Sequence, residues 1–169
     1  MTRQLTVKKE IRTLGLDLCN PRRFVGAVAR GGSYLDGVVV FPSERSSKSR
    51  HIAKTIVGTR FFPELRLIMT HDPKARLDVR VVERATKLPV IQIDSTRKKG
   101  LQAFTLFEVG GNRLLAKSSL SSQLVQAILI TTWTVGSLPE PLRIAHVIAR
   151  SSYFREKDPF SSQQINSPD

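Results

Sequence analysis

The chain has 169 residues, with 27 Lys plus Arg against 14 Asp plus Glu, a formal charge of +13. The length fits one ordinary domain with its own core, and the excess charge points to a polyanionic partner. A 40% hydrophobic content with only ten Gly and nine Pro excludes a low-complexity chain, and the single cysteine, Cys19, excludes an intramolecular disulfide and suits a reducing compartment.

Met1 to Arg12 is charged and lacks the apolar segment of a signal peptide. Residues 11–18 read as a buried strand, followed by a turn at Asn20-Pro21. Residues 24–29 and 35–41 read as two further strands joined by a hairpin turn at Gly31-Gly32. Ser46 or Ser47 is expected to cap a helix through Val57, with Ile52, Ala53, Ile56 and Val57 inward. Residues 65–69 read as a strand ending at Thr70-His71-Asp72-Pro73, residues 77–87 as a helix and residues 89–93 as a fifth strand. Residues 101–108 read as a short helix and 113–120 as a strand or extended segment. Ser121 or Ser122 caps an apolar helix over 124–135 that ends at Gly136, and Pro139 and Pro141 introduce a last helix from Leu142 to about Tyr153. Apolar stretches are broken by Thr, Arg or Pro before the roughly 20 residues of a membrane helix, so no membrane association is expected and the protein is expected in the cytoplasm.

Three strands followed by alternating helices and strands give the order βββαβαβα. This is the element order of a ribonuclease H-like α/β fold: a mixed five-stranded sheet with helices on both faces, here with a C-terminal helical pair. Residues 1–154 are expected to form that single domain and residues 155–169 a flexible polar tail. In this architecture acidic residues on the first and fourth strands bind Mg²⁺ for phosphodiester hydrolysis, although fold alone does not establish activity.

Residues 1–99 hold 21 of the basic and 9 of the acidic residues, a net +12, while residues 100–169 carry only +1. The basic clusters are Lys8, Lys9 and Arg12; Arg22 and Arg23; Arg45, Lys48, Arg50 and Lys54; Lys74 and Arg76; and Arg97, Lys98 and Lys99. Most fall at element ends, where several could converge on one rim that contacts phosphates. A solvated basic surface is the plainer alternative. Aromatic residues are not interleaved with these clusters, so base stacking is not indicated strongly; Tyr34 and Phe61-Phe62 are the best candidates, with core packing the simpler role for the phenylalanine pair.

Three segments carry a family resemblance over roughly residues 8–150: Leu14-Gly15-Leu16-Asp17, the Arg30-Gly31-Gly32-Ser33-Tyr34-Leu35-Asp36-Gly37-Val38 hairpin, and Pro139-Glu140-Pro141-Leu142-Arg143-Ile144-Ala145-His146. Together they resemble a mostly archaeal family described as endonuclease V-like, or endonuclease dU. The chain departs from that family's pattern around the implied metal site: Asp17 is followed by Leu18 and Cys19 instead of a second Asp, the middle segment reads Ser43-Glu44-Arg45-Ser46-Ser47-Lys48, and His71-Asp72-Pro73-Lys74 follows the fourth strand.

Mg²⁺ takes carboxylate oxygens, and Asp17 and Asp72 are the pair that this reading places on neighbouring strands. They are the candidate catalytic and metal residues for Mg²⁺ or Mn²⁺, with Glu44 or Glu140 as a third ligand if the fold brings either close, and Lys98 or Lys99 to neutralise a phosphate. They read equally as a solvated remnant of such a site. His51, His71 and His146 are far apart and show no ligand spacing with Cys19, so no zinc site is expected. Cys19 reads as a small buried residue, and His71 as a polar loop residue or a shuttle beside Asp72. Arg143, His146 and Arg150 form one helical stripe that touches either phosphate or solvent.

The favoured reading is a non-catalytic nucleic-acid-binding protein of structured RNA or a ribonucleoprotein such as the ribosome, using Lys8, Lys9, Arg12, Arg22, Arg23, Arg45, Lys48, Arg50, Lys74, Arg76, Arg97, Lys98, Lys99 and Arg143. The alternative is a metal-dependent endonuclease built on Asp17 and Asp72. A protein-interaction module using the nearly neutral C-terminal helices is a third class. Geometry around Asp17 discriminates the first two: three carboxylates would mark the enzyme, and Lys or Arg in their place the binder.

Overall fold

The computed structural model describes residues 5–20, 23–42, 49–94 and 103–156. Strand β1 (Arg12–Asp17) is buried from Thr13 to its end, as expected of a central strand covered on both faces. It pairs antiparallel with β2 (Arg23–Arg30), which pairs antiparallel with β3 (Tyr34–Pro42). The β2–β3 turn relies on Gly31, at φ 54°, a left-handed conformation that favours glycine. On its other side β1 runs parallel to β4 (Leu67–His71), and β4 runs parallel to β5 (Val90–Asp94). Two antiparallel strands, β7 (Asn112–Ser118) and then β6 (Thr105–Val109), complete a seven-stranded mixed sheet of order β3-β2-β1-β4-β5-β7-β6.

Helices cover both faces. Leu14, Leu16 and Leu18 point to one side, where they pack with Ile52 and Ile56 of α1 (Ser49–Val57) and Val82 of α2 (Val79–Thr86). On the other side Met69, Ile91 and Phe107 pack against Val125, Ile128 and Leu129 of α3 (Ser122–Thr132). Helix α4 (Glu140–Glu156) lies on that same side, with Ala145 and Ala149 against Val25 and Ala27 of β2. Ser121 caps α3, its hydroxyl accepting from the Leu124 N–H at 3.4 Å.

The expected five strands become seven. Residues 105–109, read as part of a helix, form β6, because Gly110 and Gly111 both take positive φ and fold the chain into a tight hairpin pairing Val109 with Asn112. Helix α3 stops at Thr132, earlier than Gly136, since Trp133 is already extended. Helix α4 extends beyond Tyr153 to Glu156, into the segment expected as tail, and residues 157–169 lie outside the described residues, as do the expected caps Ser46 and Ser47. Among the described residues no helix is long and apolar enough to cross a membrane.

One close approach sets the position of α4. A Cβ on Gly15 would lie 2.3 Å from the carbonyl carbon of Pro141 and 2.5 Å from the Leu142 nitrogen, so the first turn of α4 rests on the bare backbone of β1. Thr134 and Glu140 secure the same corner: Thr134 Oγ1 lies 3.3 Å from the Gly32 carbonyl and 3.1 Å from Glu140 Oε2. The three family-like segments thus meet in space. Gly15→Ala should destabilise the protein by about 1–3 kcal/mol, because neither backbone can yield to the added methyl. Urea unfolding midpoints of the two proteins check this, and an unchanged midpoint would show that α4 docks otherwise.

Candidate functional site

The carboxyl ends of the parallel strands β1 and β4 lie side by side, Asp17 in register with His71, where open α/β sheets characteristically place their sites. Asp17 is fully buried. Its Oδ1 accepts the Cys19 N–H at 3.0 Å, which folds the chain tightly after β1, while Leu18 donates to the His71 carbonyl at 3.0 Å. Its Oδ2 lies 3.0 Å from Nδ1 of His146 and 3.4 Å from Nδ1 of His71. Cys19 Sγ lies 3.3 Å from that same His71 nitrogen. Helix α4 delivers His146 from 129 residues away, and Asn20 Nδ2, donating to the Ala149 carbonyl at 3.1 Å, ties the loop to α4 one turn further along.

Burial pushes the Asp17 carboxyl upward, but the hydrogen bonds to His71, His146 and the Cys19 N–H outweigh it and hold the group below the usual carboxylate range. The Cys19 thiol moves the other way: burial and the adjacent Asp17 charge push it up to about 12. This thiol is no activated nucleophile, since a reactive cysteine requires the opposite shift. Nor do Cys19, His71 and Asp17 form a relay, because such a triad uses both ring nitrogens whereas here thiol and carboxylate converge on one.

One ligand atom from each of Asp17, Cys19, His71 and His146 falls within 4.8 Å of all the others. Of the three histidines expected to lie apart from Cys19, the fold brings His71 and His146 to it, while His51 is not in the group. Sequence spacing could not reveal the group because its members come from a strand end, the following turn, a second strand end and a helix. The one available signal was the polar His146 at i+4 from Leu142, on a helix whose neighbouring residues are apolar.

Asp72, expected as the partner of Asp17, is not part of this group. Its Oδ2 accepts the Leu77 N–H at 2.7 Å and its carbonyl accepts from Ala75, shaping the loop into α2. Its Oδ1 is buried without a hydrogen bond, 3.9 Å from Arg76 Nε, and the Arg76 guanidinium stacks on Phe24 at 4.7 Å. Donors comprising two imidazoles and a thiol beside one carboxylate do not fit Mg²⁺, which takes oxygen ligands; no hydrolytic step through Mg²⁺ follows from them.

The basic residues divide between two ends of the sheet. Lys8 and Lys9 are exposed before β1 and Arg12 begins it, at the end remote from Asp17, where Arg12 pairs with Asp36 at 2.8 Å and with Glu64. At the Asp17 end, Lys74 and Arg76 follow β4, and β2 begins at Arg23, two residues before the partner of Asp17. Arg50 opens α1, whose Ser49 hydroxyl accepts the Asp78 N–H at 2.8 Å beyond the same loop. Arg143 grips Glu140 with Nε at 2.8 Å and Nη2 at 2.6 Å, holding the Glu140 carboxyl below its usual range. Arg22, Arg45, Lys48, Arg97, Lys98 and Lys99 lie outside the described residues, as does Glu44.

No protein-family model matches the sequence. The chain is 31% identical to a UPF0215 protein of Methanothermobacter thermautotrophicus, covering 85% of this chain and 88% of that protein. It is 30% identical to a UPF0215 protein of Methanosarcina mazei over 85% of this chain and 91% of the relative. Among solved structures, an Archaeoglobus fulgidus protein of unknown function superposes with a TM-score of 0.68 at 19% identity, over 84% of this chain and 98% of that one. Marinitoga piezophila Argonaute, in complex with guide RNA and target DNA, superposes with a TM-score of 0.57 at 11% identity, over 89% of this chain but only 31% of Argonaute.

Asp17→Asn should cost about 1–3 kcal/mol at neutral pH, since an amide has a single accepting oxygen and cannot serve both the histidines at Oδ2 and the Cys19 N–H at Oδ1. The folded carboxyl titrates below the unfolded value of about 3.9. Ionised Asp17 therefore contributes stability that is fully present above that pH and is lost as pH falls through the folded value. Thermal unfolding of both proteins from neutral pH to about pH 2 should show a shallower acid decline for Asp17→Asn; parallel curves would remove this role.

Proposed function

The chain belongs to the UPF0215 family, and from that premise we propose that it is a nucleic-acid-binding protein on a ribonuclease H-like fold, without Mg²⁺-dependent hydrolysis at Asp17. Among the described residues, those around Asp17 are neither the three carboxylates of a nuclease nor the Lys or Arg of a binder but His71, His146 and Cys19, which speaks against Mg²⁺ hydrolysis and leaves the basic charge to carry the reading. The observation that carries nucleic-acid binding is the net +12 of residues 1–99, with Arg23, Arg50, Lys74 and Arg76 in the segments that begin or follow the strands at the Asp17 end of the sheet. The fold likeness to a segment of Argonaute, a protein described with guide RNA and target DNA, is compatible with such a partner.

Residues 1–154 act as one unit in this reading. Binding runs through backbone phosphates of a structured RNA or ribonucleoprotein, using the exposed Lys8, Lys9, Arg50 and Lys74 together with the basic residues outside the described ones. Arg12 and Arg143 hold carboxylates, so they contribute less than their charge suggests. A second reading, an endonuclease using Asp17 and Asp72, is favoured by the adjacency of β1 and β4 and by the unbonded Asp72 Oδ1.

Fluorescence anisotropy with a structured RNA and a DNA duplex across a salt series tests the proposal. About six phosphate contacts would lose roughly 10³ in affinity between about 50 and 200 mM salt, and Lys74→Ala should weaken binding without changing preference between ligands. A salt-independent affinity would remove nucleic-acid binding. Incubation of the same RNA and DNA with Mg²⁺ or Mn²⁺ should leave them intact; cleavage abolished by Asp17→Ala and by Asp72→Ala would establish the endonuclease.

A further inference from the structure

Four polar atoms crowd together in the Asp17 cluster. His71 Nδ1 lies 3.4 Å from Asp17 Oδ2, Cys19 Sγ lies 3.3 Å from the same nitrogen, and His146 Nδ1 approaches the same Oδ2 at 3.0 Å. All four atoms carry lone pairs that a metal ion accepts, and one cation among them satisfies them all. The known short separations fit that arrangement. With zinc bonds of ordinary length, tetrahedral ligands stand about 3.3 Å apart for nitrogen and oxygen and about 3.6 Å apart for nitrogen and sulfur. Three of the six edges match, 3.0 and 3.4 Å for nitrogen to oxygen and 3.3 Å for nitrogen to sulfur, and the other pairs, all within 4.8 Å, close up on binding.

Charge and chemistry agree with the geometry. One carboxylate, one thiolate and two neutral imidazoles balance a divalent cation to zero, which removes the cost of burying unpaired charge. Imidazole and thiolate select a borderline-soft transition metal and disfavour Mg²⁺. Access remains, because the His146 side chain is 28% exposed and Cys19 is half-buried.

We propose that Asp17 Oδ2, Cys19 Sγ and the Nδ1 atoms of His71 and His146 form a four-coordinate zinc(II) site that clips helix α4 to the ends of β1 and β4. On binding, the Cys19 thiol releases its proton to solvent, and each imidazole keeps its one proton on Nε2. Four protein donors close the coordination sphere, so the role is structural: the metal joins residues 17–19, 71 and 146, which nothing in the chain links covalently nearby. Zinc loading is separable from nucleic-acid binding, and neither outcome decides the other.

The full-length protein, purified under reducing conditions, stripped with a chelator and dialysed against Zn²⁺ or Co²⁺, provides the test. One zinc should remain per chain, with a higher Tm than the stripped protein. The Co²⁺ form should show the intense visible bands of tetrahedral cobalt and a thiolate charge-transfer band. Cys19→Ser should abolish that charge-transfer band and lower zinc affinity about 100-fold or more, beyond what loss of a supporting group costs. His146→Ala, on the more exposed ligand, should release the metal while the protein stays folded by circular dichroism, which keeps the test decisive if Cys19→Ser does not fold. Failure of the wild-type chain to retain zinc, a weak octahedral cobalt spectrum, or wild-type affinity in a folded His146→Ala protein would each overturn the proposal.

Discussion

Helix α4 can reach its place only because Gly15 has no side chain. The carbonyl of Pro141 and the nitrogen of Leu142 occupy the volume that any Cβ at position 15 would take, so helix and strand meet backbone to backbone. From that contact the helix passes over β2 on two alanines, Ala145 and Ala149, small enough to keep it close to the sheet. One turn beyond Leu142, His146 then reaches Asp17 at hydrogen-bond distance. A larger residue at 15, 145 or 149 would lift the helix and separate the imidazole from the carboxylate by more than a hydrogen bond tolerates.

The environment of Asp17 follows from this proximity. A fully buried carboxylate is costly unless several donors surround it, and β1 alone supplies only the N–H of Cys19. Two histidines from separate elements supply the rest, and together with the Cys19 N–H they outweigh the burial penalty and hold the acid below its ordinary range. Burial and then the same negative charge push the Cys19 thiol upward. Charge at one atom thereby acts on each of its neighbours.

The strands and the helices over residues 49–57, 79–86 and 122–132 were legible because their apolar residues recur with clear periods and Ser121 marks a start. Strand β6 was not, since Thr105 to Val109 is too short to distinguish a strand from a helix by pattern, and the decisive information lies in the paired glycines after it. Asp17 was found at a strand end by its position after an apolar run. Its companions were hidden, since Cys19, His71 and His146 acquire meaning only when β1 and β4 are neighbours and α4 crosses them. Local periodicity carries no record of such long-range juxtaposition, which arises from sheet order and from a helix path defined by glycine and alanine.

The order of these parts along the chain bears on biosynthesis. A polypeptide emerging from the ribosome exposes Asp17 first, completes β4 with His71 next, and makes His146 only after another seventy-odd residues. Until that helix is translated, the carboxylate lacks its shorter contact and the β1–β2 face that α4 covers stays open to water, so the nascent sheet is incomplete however well its strands have paired. Contacts of this sequence separation form late and slowly. The interval is one in which a chaperone could engage the uncovered Val25 and Ala27, and synthesis of the final helix ends it.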